Sequence, residues 1–405
     1  MADLQIHDVL IIGGGLVGAS LALALDRAGV AATLLEATPP AAMPAVFDQR
    51  NLSFAEATVN ALGALGVMAR LRRPAGSIRR IHISRAGDFG QAWLQAVDFG
   101  REAFGQVVVA RDLGEALEGR LSDAQRLTRL RPVRFLGFDA GPDADLRYVR
   151  VAGDGGEQRL AARLVVAADG ATSLVRAAAG IGAATHDYGQ RLFVARLRTQ
   201  RAPDGTAYER LGDDGPTALL PRGDGCYGLV HGVAAGSADT VAALDDRGFL
   251  ARVQDAFGWR AGRFLEVGER SVYPAIRVVA ERTAARRVVL VGNAAQALHP
   301  LGAQGFNLGL RDALTLAELL AGAGDPGAET LLDAYARRRA EDRRRTVAFS
   351  DGLARLTANP SPLLRPLRSL GLTALGAVPS LQSMLAGGAM GYRGDVPALC
   401  RGGVA

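Results

Sequence analysis

The chain has 405 residues, 49% of them apolar, enough for two domains, or one domain with an insertion, around a large core. Its net charge is +6 and every basic side chain is Arg, because no Lys occurs, which excludes Schiff-base and P-loop lysine chemistry. Cys226 and Cys400 are the two cysteines, too far apart for a CxxC site or a disulfide scaffold, so a reducing cytosol is expected.

No uninterrupted apolar run reaches the roughly 18 residues of a membrane-crossing helix. Met1–His7 is short and polar and Val9–Leu25 is interrupted by glycines, so no export signal is read and a cytoplasmic protein is expected. Arginines cluster at Arg70–Arg73, Arg79-Arg80, Arg337–Arg339 and Arg343–Arg345 and read as solvated surface. An anionic membrane surface or a phosphate-bearing cofactor are the other readings. Without an aromatic-rich basic stripe, no nucleic-acid partner is expected.

In chain order, Asp8–Ile12 reads as a short apolar strand, followed by Gly13-Gly14-Gly15-Leu16-Val17-Gly18 and an Ala/Leu-rich helix over Ala19–Ala28. Ala32–Leu35 is a second strand ending at Glu36. The pattern places Gly13, Gly15 and Gly18 in a strand–turn–helix. Gly13 permits the tight turn, Gly15 the close approach of a pyrophosphate, and Gly18 the packing of helix on strand. Glu36 stands where an acid bonds a ribose hydroxyl, which suits FAD or NAD.

Phe47-Asp48-Gln49-Arg50-Asn51 is polar, and Arg50 is placed to reach a cofactor. Ser53 with Glu56 fits a capping box for a helix over Phe54–Leu65. Ile78–Ser84, Ala92–Val97 and Val107–Val109 read as strands. Arg111 opens a helix that runs to Leu117. A cation at a helix start is unfavourable for the dipole, which hints at an anionic partner there.

Leu130–Phe138, Tyr148–Val151 and Arg159–Ala168 read as strands, the last ending at Asp169-Gly170 before a short helix that Ser173 starts. An acid at a strand's carboxyl end stands where α/β sheets bind ligands. From Arg191 to Tyr273 alternating runs between Gly/Asp/Pro turns read as an antiparallel sheet, with a helix over Phe249–Phe257 and a return strand over Phe264–Tyr273. Tyr227, His231 and Tyr273 read as core or turn packing.

Val288, Val289 and Val291 form a buried strand that breaks at Gly292-Asn293. A Gly-rich loop with His299-Pro300, Gly302 and Gly305 leads to an apolar helix from about Asn307. Helices over Leu308–Leu320 and Ala328–Phe349 follow, the second carrying Arg337–Arg345 on its surface. Pro360, Pro362 and Pro366 break the chain before an apolar, Gly-rich segment, Leu363–Gly391. That segment reads as a packed subdomain, with a membrane-facing or partner-facing amphipathic segment as the other reading.

Taken together, Gly13–Glu36, Asp169-Gly170 and Gly292–Asp312 resemble the aromatic-ring hydroxylase family of FAD-dependent monooxygenases, related to p-hydroxybenzoate hydroxylase. Phe47-Asp48-Gln49-Arg50, Gly105-Gln106-Val107-Val108, Ala256–Arg260, Arg270–Pro274 and the Asn293 form of the last motif are similar to its ubiquinone-biosynthesis branch. Within that branch the likeness is greatest to the 2-polyprenyl-6-methoxyphenol hydroxylases. Asn293 stands where the wider family usually has Asp. Its amide oxygen still accepts from a ribityl hydroxyl.

The resemblance implies an α/β fold, with a Rossmann-like FAD-binding domain over residues 1–75, 100–180 and 275–330. It implies an inserted antiparallel-sheet substrate domain over 76–99 and 181–274, and C-terminal helices over 331–405. It implies FAD held by Gly13, Gly15, Gly18, Glu36, Arg50, Arg111, Asp169, Gly170, Gly292, Asn293, Pro300, Gly302, Gly305, Phe306 and Asn307. The amides of Phe306 and Asn307 are the candidates for stabilising charge on the flavin ring.

NADPH or NADH would reduce the flavin, O2 would react with it, and one oxygen atom would reach a phenol ring. The implied reaction takes 2-polyprenyl-6-methoxyphenol to 2-polyprenyl-6-methoxy-1,4-benzoquinol. With a single dinucleotide fingerprint, NAD(P)H is expected to bind transiently. A ubiquinone-synthesis complex and peripheral contact with the inner membrane are the implied partners. The alternatives are hydroxylation at another ring position or of another aromatic, and a flavin-binding subunit without activity of its own. No side chain is identified as the base that ionises the phenol. His299 is considered and read as a loop-stabilising residue.

Overall fold

The computed structural model describes residues 5–40, 42–46, 48–299, 301–357 and 365–402. Its first sheet is built on Ile6–Ile12, which pairs in parallel with Ala32–Leu35 on one side and Gly156–Ala167 on the other. Leu127–Leu130 and Val288–Leu290 extend the parallel core outward. Alternation along Ile6–Ile12 sorts its side chains. Val9 and Ile11 pack under the helices Leu16–Arg27 and Gln304–Leu320, whereas Leu10 and Ile12 meet Val149 and Val165. Both faces are covered, as a parallel sheet requires.

The second sheet runs Gln296–Ala297, Ser271–Ala280, Ala183–Thr199, Tyr227–Ala234, Thr217–Pro221, Thr206–Leu211, Arg80–Arg85, Gln91–Gln95. Its pairings are antiparallel, as the alternating runs suggested, except that Thr206–Leu211 lies parallel to Arg80–Arg85. The helix Asp246–Phe257 covers one face, burying Phe249 and Val253 against Phe193, Tyr208, Leu219 and Tyr227. The opposite face looks toward the first sheet's carboxyl ends. The return segment splits into Phe264–Val267 and Ser271–Ala280, both pairing with Ala183–Thr199.

Two segments fold differently from the sequence expectation. Ser53 does not cap a helix. It lies in the strand Asn51–Ala55, paired with Val107, and the helix is Glu56–Ala64 with no side-chain cap. The amides at that start find tertiary partners, Ala55 N–H donating to Asn307 Oδ1 (2.9 Å) and Glu56 N–H to the Phe104 carbonyl (3.0 Å). Local sequence could not show them, since Asn307 is 252 residues away.

The second segment is Arg337–Arg345, on the helix Glu329–Thr357, which does not lie wholly on the surface. Arg337, Arg344 and Arg345 are exposed, but Arg339 is 1% exposed and buried against acids. Arg343 turns inward too, donating to Gln296 Oε1 (2.9 Å) and to the Ala280 carbonyl.

The C-terminal helices Arg365–Ala377 and Pro379–Met390 meet at 85°. Ala386 and Met390 pack with Leu94, Phe104 and Val107, so this region joins the body as a packed subdomain. Leu367, Leu370 and Met384 remain exposed. Among the described residues no single helix is long and apolar enough to cross a membrane. Pro360 and Pro362 lie outside the described residues.

Candidate functional site: a dinucleotide cleft opening under the second sheet

A cavity of about 850 Å³ runs from the first sheet to the open face of the second. That is the upper part of the usual range for small-ligand sites, about 300–1,000 Å³. Gly13, Gly15, Glu36, Asp169 and Gly170 line one end, and Asn293, Gly302, Gly305, Phe306 and Asn307 line its middle with Arg50. Ile81, Ala207, Glu209, Ala218, Leu220 and Val230 form the far wall.

Several positions test whether these residues fit a dinucleotide. A methyl group added at Gly170 or Gly305 would meet no protein atom within 4 Å, and at Gly15 only Val46 Cγ1 at 3.6 Å. The backbone there faces open space. Gly15 begins the helix Leu16–Arg27, which has neither a side-chain cap nor an acid in its first turn. The same holds for Gln304–Leu320, entered through Ala303 at φ 49°. Two uncapped helix starts therefore face the cavity, and each presents free amides and the positive dipole end to an anionic group.

Glu36 accepts the Gly14 N–H through Oε2 and the Thr38 N–H through Oε1, both at 2.7 Å. Each oxygen keeps a further lone pair for a ribose hydroxyl. Asp169 accepts from the Ser173 hydroxyl and from Val175 N–H (3.1 Å), fixing the start of the helix Leu174–Ala178 as the sequence suggested. Asn293 is exposed to the cavity, and its amide has no partner among the described residues. An FAD laid from Glu36 to Phe306 is compatible with this set.

Not every expected residue reaches the cavity wall. Gly18 and Gly292 lie behind it as packing positions. A Cβ at Gly18 would stand 1.9 Å from the Gly13 carbonyl oxygen, and one at Gly292 2.9 Å from Val17 Cγ2. Arg111 is exposed in the helix Ala110–Leu121, outside the cavity lining. Pro300 and Phe47 lie outside the described residues.

The helix after the Gly-rich loop begins at Gln304, three residues earlier than the sequence suggested. Its free first-turn amides are therefore those of Gln304, Gly305 and Phe306, and not Asn307. The Asn307 side chain instead ties three segments together. It accepts from Ala55 N–H and the Thr58 hydroxyl and donates to the carbonyls of Ser53 and Ala303.

Sequence reading also missed a junction between the sheets. Arg50 bonds Asp48 in bidentate fashion (2.9 and 2.7 Å), and its guanidinium lies 4.4 Å from the Tyr273 ring centroid. The Tyr273 hydroxyl donates to the same carboxylate. Burial opposes the charge on Asp48, but Arg50 and Tyr273 hold its carboxyl below the usual range. His299 is buried, and burial lowers its pKa to about 4. Its Nδ1 accepts from Leu301 N–H (3.1 Å), leaving Nε2–H to face Gln190 Oε1 at 3.3 Å. It braces the loop, as read from the sequence, and has no lone pair left for a substrate proton. His231 and Tyr227 are packed in the core away from the cavity.

An α/β nucleotide fold with this cleft defines an FAD-dependent flavoprotein whose second sheet roofs the site. The chain belongs to the FAD binding domain family, whose pattern matches residues 7–350. It is 34% identical over 397 residues to the ubiquinone hydroxylase UbiL of Rhodospirillum rubrum, covering 96% of this chain and 90% of that one. It is 28% identical to the 3-demethoxyubiquinol 3-hydroxylase of Escherichia coli, covering 91% and 95%. Among solved structures, p-nitrophenol 4-monooxygenase PnpA of Pseudomonas putida shares the fold, with a TM-score of 0.77 at 20% identity over 96% of this chain and all of that one. The chain is an FAD-dependent ring monooxygenase of the ubiquinone-hydroxylase group.

Proposed function

We propose that this enzyme hydroxylates the aromatic ring of a polyprenylated phenol in ubiquinone synthesis, taking 2-polyprenyl-6-methoxyphenol to 2-polyprenyl-6-methoxy-1,4-benzoquinol. The observation that carries this reading is the continuity of the cavity. It passes from the helix start at Gln304–Phe306 to a wall of Ile81, Ala207, Ala218, Leu220 and Val230. An aromatic ring with an apolar tail suits the aliphatic part of that wall, in which Glu209 is the one charged residue.

FAD, reduced by NADPH or NADH, supplies the activated oxygen when bound. The chain's own tasks are positional. Gly13–Gly15 and Glu36 would hold the adenosine end, the amides of Gln304–Phe306 would stabilise negative charge on the ring system, and the aliphatic wall would keep water from the reacting atoms. Deleting the gene in its host and measuring quinone precursors by mass spectrometry tests the assignment. A 2-polyprenyl-6-methoxyphenol is expected to accumulate. Accumulation of a different precursor would move the reaction to another ring position, and unchanged quinone in a host without a second such enzyme would overturn it.

A polyprenyl substrate resides in a bilayer, and we propose peripheral contact through the two C-terminal helices. Leu367, Leu370, Val378 and Met384 are exposed there, and Ala389 of the second helix lines the cavity. Co-sedimentation with phospholipid vesicles is expected to fall at least several-fold in a Leu367→Ser/Leu370→Ser/Met384→Ser triple variant. Equal sedimentation of both proteins would remove this proposal.

A further inference from the structure

One carboxyl group stands where the mechanism has no residue yet. Glu209 lies in the strand Thr206–Leu211, with Ile83 beside it on one neighbouring strand and Ala218 on the other. It is the one ionisable side chain that the second sheet gives to the cavity among the described residues. The wall near it is uncharged. Ala207, Ala218, Leu220 and Val230 come from the sheet, Phe104 and Ala389 from the elements that close it. On the adjacent strand the nearest ionisable side chain of the same alternation is Arg85, across from Leu211, and it is engaged with Asp213. The other charged lining residues, Glu36, Arg50, Arg134 and Asp169, belong to the nucleotide half.

The other acids around the cavity, and its histidine, are already engaged. Asp48 holds Arg50 and Tyr273, Asp169 fixes a helix start, and His299 braces its loop. Glu209 has neither a hydrogen bond nor an ion pair among the described residues. Glu209 is partly exposed, facing the cavity, and a carboxyl without a partner on an apolar wall is unfavourable for folding; such groups concentrate where chemistry needs them.

We propose that Glu209 is the catalytic base of the hydroxylation: its carboxylate takes the proton of the substrate phenol, giving phenolate and a neutral carboxyl group. Once the ring has gained its oxygen, the ring carbon that received it releases its hydrogen as a proton to water. The carboxyl group returns the first proton to the oxygen it came from, and Glu209 is again a carboxylate. The electron-rich phenolate is the form that an electrophilic oxygen attacks. Burial pushes the Glu209 carboxyl up to about 7. A phenol titrates near 10 and an ordinary Glu near 4.5, so the raised value brings base and acid about 300-fold closer in affinity for the proton.

The inference rests on the phenol-hydroxylase reading, and its test separates the two. The FAD-loaded enzyme is assayed with a short-tailed 2-prenyl-6-methoxyphenol and with a ring-fluorinated analogue that is already ionised at the assay pH. Failure of the unaltered enzyme on both would count against the substrate reading. With turnover established, Glu209→Gln is expected to lose about 10²–10³-fold in kcat on the ordinary phenol. On the fluorinated one it should lose less than about tenfold, because no proton remains to be taken. The unaltered enzyme should lose kcat/KM on the ordinary phenol as pH falls through about 7, and the variant should not. Gln is isosteric, and FAD content and melting temperature serve as the check on folding.

A further readout follows from linkage. Between the ordinary carboxylate value of 4.5 and about 7 the native group keeps a proton that the unfolded chain has released, so stability falls with rising pH across that window. Glu209→Gln should therefore raise the melting temperature more at pH 8 than at pH 5. Equal losses on both phenols, or no loss on either, would overturn the role of Glu209.

Discussion

An Asp342→Ala variant is expected to lose about 3–5 kcal/mol of folding stability. Against a typical total of about 5–15 kcal/mol, that places it at the edge of folding at all. Asp342 is 1% exposed and lies between two guanidinium groups, Arg311 at 2.7 and 3.1 Å and Arg339 at 2.7 Å. Arg339 also bonds Asp312 (2.7 Å), so two acids and two arginines form one buried set. Removing Asp342 leaves Arg311 without its acid at 2% exposure, and a buried cation without a partner dominates the loss.

The damage should reach the nucleotide cleft. Asp312 accepts from Gln296 Nε2 (2.6 Å) and from Gly292 N–H (3.3 Å), so the charge set is bonded to the turn that carries Asn293. A shift in urea midpoint together with weaker FAD retention is expected, and Asp342→Asn, which keeps the shape, should fall between the two. The pH dependence has a definite sign. Burial opposes ionisation of Asp342, but Arg311 and Arg339 hold its carboxyl below its ordinary value of 3.8. Its stabilisation is thus present above that value and is lost as pH falls through the lower native one. A Asp342→Ala protein with an unchanged urea midpoint would show that the acid contributes nothing net.

The local parts of this molecule were legible and the long-range parts were not. Gly13–Glu36 could be read because strand, turn, helix and acid follow one another within a short stretch, each with its own period. Ser53 misled because a capping box is a local pattern, while the strand that took Ser53 is specified by Val107 across the sheet. Arg339 looked like surface because charge on a long helix usually is, and the acids that bury it, Asp312 and Asp342, were not placed opposite it by any local rule.

Glu209 is the instructive case, since a signal was present. In Thr206–Leu211 the alternation puts Ala207, Glu209 and Leu211 on one face and Tyr208 and Arg210 on the other. A Glu among apolar neighbours on one strand face is a local conflict. Such conflicts are informative because they mark either solvent or function. What the sequence lacked was the knowledge that this face meets the cavity and not water.

The glycines of the cleft separate two ways of losing FAD, and the larger effect is expected at Gly18. Gly18→Val should yield protein without flavin and with a lower melting temperature. A Cβ there would stand 1.9 Å from the Gly13 carbonyl oxygen and 3.1 Å from the Ala168 Cβ, so the helix Leu16–Arg27 must lift from its strand. Gly13 offers no relief, because it sits at φ 108° with the Ala168 carbonyl oxygen 2.5 Å from where its own Cβ would be. Gly305 is the opposite kind of position. Nothing of the protein lies within 4 Å of a Cβ there, so Gly305→Trp should fold with a near-normal melting temperature. Its ring would project into space reserved for the cofactor, lowering FAD affinity by at least about a hundredfold, or about 2.8 kcal/mol. Asn293→Asp, by contrast, keeps an acceptor facing the cavity and should retain flavin. Flavin absorbance per polypeptide, read beside thermal unfolding, distinguishes the three. Loss of flavin from Gly305→Trp together with a collapse in stability would mean that the open space at the helix start belongs to the protein and not to a ligand.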